Sequence, residues 1–519
     1  GLGRRGVTLI HDGSCLSSLV SAMRGHPLDA QLAEAGCGVF VAVCHPGDGV
    51  ESSHAAAFSA AEGAVQVLLT ALRHHIERPA VVEQACLALG NLLVIAGPFL
   101  FKRQRNGLGD ASSWVPLLIT GMDKHSAHPA ATERACFLLR HMALEAGVRS
   151  VCIEAGAVRA AVVAMRRHPR SLPIQEEGCG CLVSLGEDPS FNISIRNLGA
   201  IPVVLAAIHR HVVAGARLTE YACATLAYQA REGVTHEELE TEKAVLEVAK
   251  GMDHHLGDML VQRAACSFLE TFAVSAHKRA HIAEAGACAP VVAACRNHEA
   301  NLDVVMDAVL LMGTLAQDGV ARQSLMDTEG PQAIVSAMRV HAGDTTLQER
   351  GCRALWNIAV HGPNKDRIAI EGGISVSMVA MRRHFFHYGV LSQGVGLLRS
   401  LSAGQGNRRH EVNFQGGQYA LVWGANRLRE LEEGFQGCAP PGGAVPRTTP
   451  DMRLPPPPPL WTELKLHEDP PDEPYRGWSA STRGGDPPAL NPSFRPPSVD
   501  SGWSAAESST TVSDRRGGG

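Results

Sequence analysis

What the chain lacks narrows the reading first. No stretch is apolar over a length that spans a bilayer, and no secretory signal is visible, so neither membrane insertion nor export is implied. Neither charge sign is in large excess. The formal net charge is −5 over 519 residues, too little for bulk attraction to nucleic acid or an anionic membrane. Aromatic residues make up only 5% of the chain, and no basic stripe is interleaved with them, which leaves no stacking platform for single-stranded nucleic acid. The phosphate loop G-x-x-x-x-G-K-S/T is missing, as are G-x-G-x-x-G opening a helix, the G-x-S-x-G turn and the H-E-x-x-H metal motif. The chain therefore reads as a non-enzyme with no cofactor. It starts at Gly1 rather than Met and so reads as a fragment or processed form.

What is present is a repeat. His recurs at His26, His75, His125, His168, His211, His255, His298, His341 and His384, at intervals that settle to 43 or 44 residues. Eleven residues after each His (twelve once) falls a centre: Cys37, Cys86, Cys136, Cys179, Cys223, Cys266, Val309, Cys352 and Val395. The residue before each centre is Gly or Ala, and the residue three after it is large and apolar. Small residue, centre, then apolar groups three and six or seven on make one stripe of an α-helix. Gly there costs about 1 kcal/mol in an isolated helix, so its recurrence implies close packing against a neighbour. One repeat alone cannot bury its apolar face, whereas stacked repeats share a continuous core.

The fullest copy is Leu347 to His384: a Cys-centred helix, a polar turn, a short helix ending at Gly372-Gly373, and a second apolar helix ending Met381-Arg382-Arg383-His384. Ile followed by Gly before the second helix recurs at Ile153 and Gly156, Ile195 and Gly199, Ile282 and Gly286, and Ile368 and Gly372. With the Q-E-x-G-C third helix, this pattern resembles the armadillo family over roughly residues 7–434. The implied fold is all-α: a right-handed superhelical solenoid of about nine three-helix repeats. The Met-Arg-x-His ending more weakly resembles the armadillo regions of large leucine-rich-repeat (Roco-type) kinases, although no kinase motif is present.

The organisation read from the sequence has three parts. Residues 1–113 are irregular repeats, with Ala42–Phe58 and Ile95–Ser113 read as loops, insertions or gene-model errors. Residues 114–434 are a regular solenoid, its register broken by one residue near Thr235–Glu242. A partial tenth repeat, Val412–Glu433, closes it with a polar cap. Residues 435–519, rich in Pro, Gly, Ser and charge, read as a disordered tail. Within that tail, Pro455, Pro456, Pro457, Pro458 and Pro459 form a polyproline II stretch that suits an aromatic-lined groove of a partner domain, or serves as a spacer.

Cysteines one repeat apart lie about 10 Å apart at normal helix spacing, too far to bridge. That places the chain in a reducing interior, cytosol or nucleus. The same spacing argues against metal at the His series, and Cys179-Gly180-Cys181 has no second pair to complete a ligand set. Each His instead reads as a cation at its own helix's C-terminus. Glu34, Glu83, Glu133, Glu176, Glu220 and Glu349, three before the centre, read as acids in a helix's first turn, with an acidic ladder for basic partners as the other reading.

The resemblance implies that third helices line the concave groove. In importin-α and catenin members a Trp and an Asn four residues later clamp an extended peptide there. Here only Asn91 and Asn357 keep the Asn slot, and no Trp keeps the other. That departure removes the peptide clamp of nuclear import. The groove residues expected to meet a partner are Asn91, Phe137, His141, Tyr228, Arg353 and Asn357. The function that follows is a non-catalytic scaffold for partner proteins. The alternatives are a regulator of a small GTPase or kinase, or the non-catalytic arm of a larger multidomain enzyme.

Overall fold

The computed structural model describes residues 14–44, 51–96, 111–188, 191–231, 236–241, 243–403 and 417–437. Among them are 25 α-helices and no strand. The first repeat contributes α1 (Ser14–Gly25) and α2 (Ala30–Val43), and the next two contribute α3 (Glu51–His74) with α4 (Pro79–Ala96) and α5 (Ala111–Lys124) with α6 (Pro129–Ala143). Three-helix repeats follow. They are α7 (Ala146–Glu154), α8 (Ala157–Arg167), α9 (Leu172–Leu185); then α10 (Phe191–Asn197), α11 (Ala200–His211), α12 (Ala216–Ala230). Next come α13 (His236–Thr241), α14 (Ala244–His254), α15 (Met259–Phe272); and α16 (Ala276–Glu284), α17 (Cys288–Asn297), α18 (Leu302–Leu315). The last full repeats are α19 (Gly319–Asp327), α20 (Gly330–Val340), α21 (Thr345–Ile358); and α22 (Gly362–Ile370), α23 (Gly373–Arg383), α24 (Tyr388–Ser402). The final helix is α25 (Gly417–Gly437).

Local chemistry sets the helix boundaries. Each second helix from α8 to α23 is entered through one left-handed residue. Four are glycine, Gly156 (φ 93°), Gly199 (57°), Gly286 (81°) and Gly372 (97°), which carry no Cβ into that region. Lys243 (57°) and Glu329 (62°) take the same position in the other two repeats, at a cost of about 1 kcal/mol each. Third helices begin at short polar caps: Asp29, Asp258, Asn301 and Asp344 accept from backbone N–H groups of the first turn. Gln175, Gln262 and Gln348 then tie each third helix to the second helix of its own repeat. Each donates from Nε2 to two of that helix's last carbonyls at 2.9–3.1 Å. These are carbonyls that the helix itself leaves unpaired.

The core runs the length of the stack. The seven centre cysteines are at most 1% exposed, and burial pushes the Cys37 and Cys352 thiols up to about 12. The small residue before the centre has a defined occupant. Met23, Met165, Met338 and Met381, from the second helix of the same repeat, lie on Gly36, Gly178, Gly351 and Gly394. A Cβ on any of these glycines would come within 2.5–2.6 Å of the thioether chain. The helices approach until the methionine fills the space that a methyl group would take.

The His series joins repeat to repeat. Nε2 of His75 reaches Pro27 O at 3.0 Å, His125 reaches Ile76 O at 2.6 Å, and His168 reaches Ser126 O at 2.7 Å. His211 bonds Pro169 O at 3.0 Å, His298 bonds Leu256 O at 2.8 Å, His341 bonds Glu299 O at 2.7 Å, and His384 bonds Ala342 O at 3.0 Å. The acceptor is always the residue after the preceding repeat's His. Each of His168, His298, His341 and His384 does end its own helix, but its ring bonds the preceding repeat rather than the helix that it ends. Arg427, 43 residues after His384, holds the next place and donates from Nε to Phe385 O at 3.1 Å. It carries the register into α25, which also contains the expected polar cap.

Three boundaries differ from the sequence reading. Glu51–Phe58 forms the first turns of α3, and Ala111–Ser113 starts α5, while 45–50 and 97–110 lie outside the described residues. The register break is not near Thr235–Glu242. It lies in the turn after His211, where the spacing from His to centre is twelve. Of the tail, residues 435–437 belong to α25, and 438–519, with Pro455–Pro459, lie outside the described residues.

Candidate partner-binding face

Third helices lie side by side from α2 to α24, each against the next. The Glu series sits on this row, but not in a first turn: α6, α9, α12 and α21 have no acid there. These carboxylates are in the second turn, and Glu176 there meets the adjacent third helix. Arg217 Nη2 is 3.1 Å from both Glu176 Oε2 and Glu177 Oε1. Arg140 Nε is 3.0 Å from Glu177 Oε2, and its Nη1 donates to the Tyr221 hydroxyl at 2.6 Å. Its guanidinium also lies over the Tyr221 ring, 5.5 Å from the centroid. One network thus joins α6, α9 and α12. Farther along, Arg263 pairs with Asp303 at 3.2 Å and Asp307 at 3.4 Å, joining α15 to α18.

The six expected groove residues do not form one site. Asn91 is 4% exposed and Tyr228 6%, so both are core-side groups. Asn357 donates its amide to Gly313 O at 2.9 Å and is committed to the neighbouring helix. Phe137 and His141 are one unit, with ring centroids 4.4 Å apart. His141 Nδ1 bonds Phe137 O at 2.8 Å, and burial, aided by the Arg140 charge, pushes its pKa down to about 4. The ring is therefore neutral at physiological pH. Arg353 is half-buried; burial raises the Glu270 carboxyl on α15, and the Thr314 hydrogen bond and the Arg353 charge oppose that shift.

The sequence reading missed the glycines under these rings. Phe137 lies on Gly90 of the preceding third helix, Tyr228 on Gly186, Tyr221 on Gly180 and Trp356 on Gly396. Each ring fills the gap that a missing side chain leaves on the adjacent helix, so the face is flattened by the protein's own aromatics. The signal was in the sequence as Gly in or at the end of one third helix and an aromatic in a neighbouring one, before or after it, but only the lateral register of helices shows which pairs meet.

A second feature was also missed. Val94, Leu144, Val274 and Val360 occupy one register position, eight after the centre, and all four are exposed. Val360 is 63% exposed, and Trp356, one turn before it, is 37% exposed. Glu187, Arg231 and Gln317 hold that position in three other repeats and are exposed as well. In chain order the rim of the row thus runs through two apolar groups, two charged ones, and then Val274, Gln317 and Val360.

Among the described residues no group of three or more His, Cys, Asp or Glu is placed to hold a metal ion. No helix among them is long and apolar enough to cross a membrane.

No protein-family model matches the chain, and no curated protein matches it. Among solved structures, an engineered protein from the Northeast Structural Genomics Consortium is similar at TM-score 0.60 and 17% identity, over 80% of this chain and 98% of its own. A structure concerning a phosphorylation switch in the interaction between cadherin and beta-catenin gives 0.47 at 15% identity, over 78% and 86%. A designed armadillo repeat protein gives 0.35 at 16% identity, over 51% and 98%. At these identities the likeness is one of fold. The likeness to the engineered protein at 0.60, taken with the chain's own three-helix repeat and unbroken third-helix row, makes the fold a helical solenoid of the armadillo type.

Proposed function

We propose that the chain is a non-catalytic scaffold that holds a partner protein on the rim of its third-helix row. The observation that carries this reading is the aligned set Val94, Leu144, Val274 and Val360, with Trp356 beside Val360, left in solvent at one register position of the third-helix row. Apolar side chains repeated at one register position outline a contact line, and Trp is the residue type that most often anchors a protein interface. The Gly396 beneath Trp356 holds its ring against the solenoid, so a partner meets a preformed surface. In this reading residues 114–434, together with the preceding repeat that carries Val94, form the binding solenoid, and the Pro455–Pro459 stretch of 435–519 is a second docking segment. The buried thiols suit the cytosol or nucleus.

The test is capture of partners from lysate by the full chain, compared with a Trp356→Ala/Val360→Ser variant of equal stability. Loss of the specifically captured protein by about tenfold is expected, the usual effect of removing an interface anchor. Capture unchanged by that variant and by Val94→Ser/Leu144→Ser would remove the rim as the site.

A further inference from the structure

One joint in the stack is built differently from the others. In the regular repeats the third residue after the His closes the turn onto the His carbonyl: Ser171 on His168 at 3.1 Å, Asn301 on His298 at 2.7 Å, and Asp344 on His341 at 3.0 Å. After His211 the turn holds one residue more, and both Ala214 and Gly215 bond His211 O, at 3.2 and 2.9 Å. The extra residue leaves Val212 in helical geometry, φ −52° and ψ −33°. A helical carbonyl points along its own axis rather than sideways to the next repeat. Val212 O is the acceptor that the register assigns to His255. His255 Nε2 is buried and has no hydrogen-bond partner, whereas seven others in the series make that bond at 2.6–3.0 Å.

Charge is reversed at the same place. Neighbouring third helices are joined by opposite charges from α6 to α9, from α9 to α12 and from α15 to α18. Between α12 and α15 the charge felt by Glu220 from Asp258, the cap of α15, is of its own sign. Burial and the Asp258 charge both raise the Glu220 carboxyl, against the pull of Arg217 and Arg140. The second helix beyond the joint, α14, is entered through Lys243 in the left-handed region. Across the second helices, the ion pair that remains is His209 Nδ1 to Glu247 Oε2, 3.1 Å, with the His exposed. Third-helix packing of α12 on α15 continues unbroken.

We propose that this joint is a hinge. The arm ending at α12 and the arm beginning at α14 rotate about the α12–α15 contact, while α11 and α14 separate on the second-helix side. Hinges sit where a few residues absorb the change and few polar contacts resist it, and this turn meets both conditions. The device would let one solenoid present two curvatures of its third-helix row.

The experiment is spin-label distance measurement on the full chain with Cys15 and Cys438 replaced by Ser. Labels at Arg210→Cys and His254→Cys span the hinge, and labels at Asn297→Cys and Val340→Cys span the equivalent positions of a regular joint. The distance distribution across α11–α14 is expected to be at least about twice as wide as across α17–α20. Deleting Ala214, which restores the register, narrows it towards the control. Equal widths in the undeleted chain overturn the proposal, whatever the deletion does to folding. So does His255→Leu lowering the unfolding midpoint as much as His298→Leu, because His255 would then be carrying the bond that its partner lacks.

Discussion

Met338 lies on Gly351, so that a Cβ at Gly351 would come within 2.6 Å of both Cγ and Sδ. The two residues belong to adjacent helices of one repeat and set how closely α20 and α21 approach. Gly351→Val should cost about 2–3 kcal/mol by overpacking. Combined with Met338→Ala, the total should fall short of the sum of the singles by about 1–3 kcal/mol, because truncating the thioether makes room for the new methyl groups. Urea unfolding of the four proteins measures this coupling. Strict additivity would show that Met338 is not what Gly351 accommodates.

Arg140 and Glu177 form a pair with side chains only 14% and 9% exposed. Glu177→Gln removes a charge that both Arg140 and Arg217 use, and should destabilise by about 2–4 kcal/mol. Replacing the pair together, Arg140→Met with Glu177→Leu, should recover more than half of that loss, since two desolvated charges leave at once. A double variant as unstable as the single would mean that the Tyr221 contact, not the ion pair, sets the energy.

Glu220 gives a pH dependence whose sign follows from its surroundings. Burial first, then Asp258 on α15, raises its pKa from 4.5 to about 7, while Arg217 on its own helix and Arg140 on α6 oppose the shift. The folded chain holds the proton more tightly than the unfolded chain. Stability is therefore lost as pH rises from about 4.5 to 7 and stays lost above that range. Glu220→Gln should stabilise by about 1–2 kcal/mol at pH 8 and change little at pH 4.5, the solvent-screened part of such a shift. An equal effect at both pH values, read from thermal unfolding, would show that the carboxyl is not held protonated.

The thiols make a kinetic prediction. Twelve free cysteines are buried among the described residues, out of fourteen in the chain. Burial pushes Cys152 and Cys295 up to about 12, as it does Cys37 and Cys352. A thiol so far above ambient pH offers almost no thiolate to an electrophile. An aromatic disulfide reagent at pH 8 should titrate no more than two thiols in native protein and all fourteen in denaturant. Rapid reaction of further native thiols would contradict the closed core.

Much of the architecture was legible because it is written locally. The interval between His residues, the Gly or Ala before each centre and the Ile-to-Gly spacing each recur, and helical periodicity turns them into one buried stripe per repeat. The face was less legible. Tyr228 and Asn91 occupy slots that point to a groove in the family pattern, yet Gly186 lets Tyr228 sink beside its neighbour, and both residues are buried. The His series was read as cations serving their own helices. The bond that each makes is to a residue 42 to 49 positions away, which no local rule anticipates.

The sequence by itself determined the repeat, the helices and the cysteine-lined core, since each follows from side-chain spacing within about 40 residues, the length of one repeat. Only the tertiary structure decided which neighbours meet. It put Phe137 over Gly90 and Trp356 over Gly396, gave Arg427 the place of a histidine, and left His255 without a carbonyl after one extra residue at Val212–Gly215. The reason is physical: contacts between repeats depend on the rotation and rise from one repeat to the next, and a shift of one residue changes where a carbonyl points without altering the hydrophobic pattern on either side.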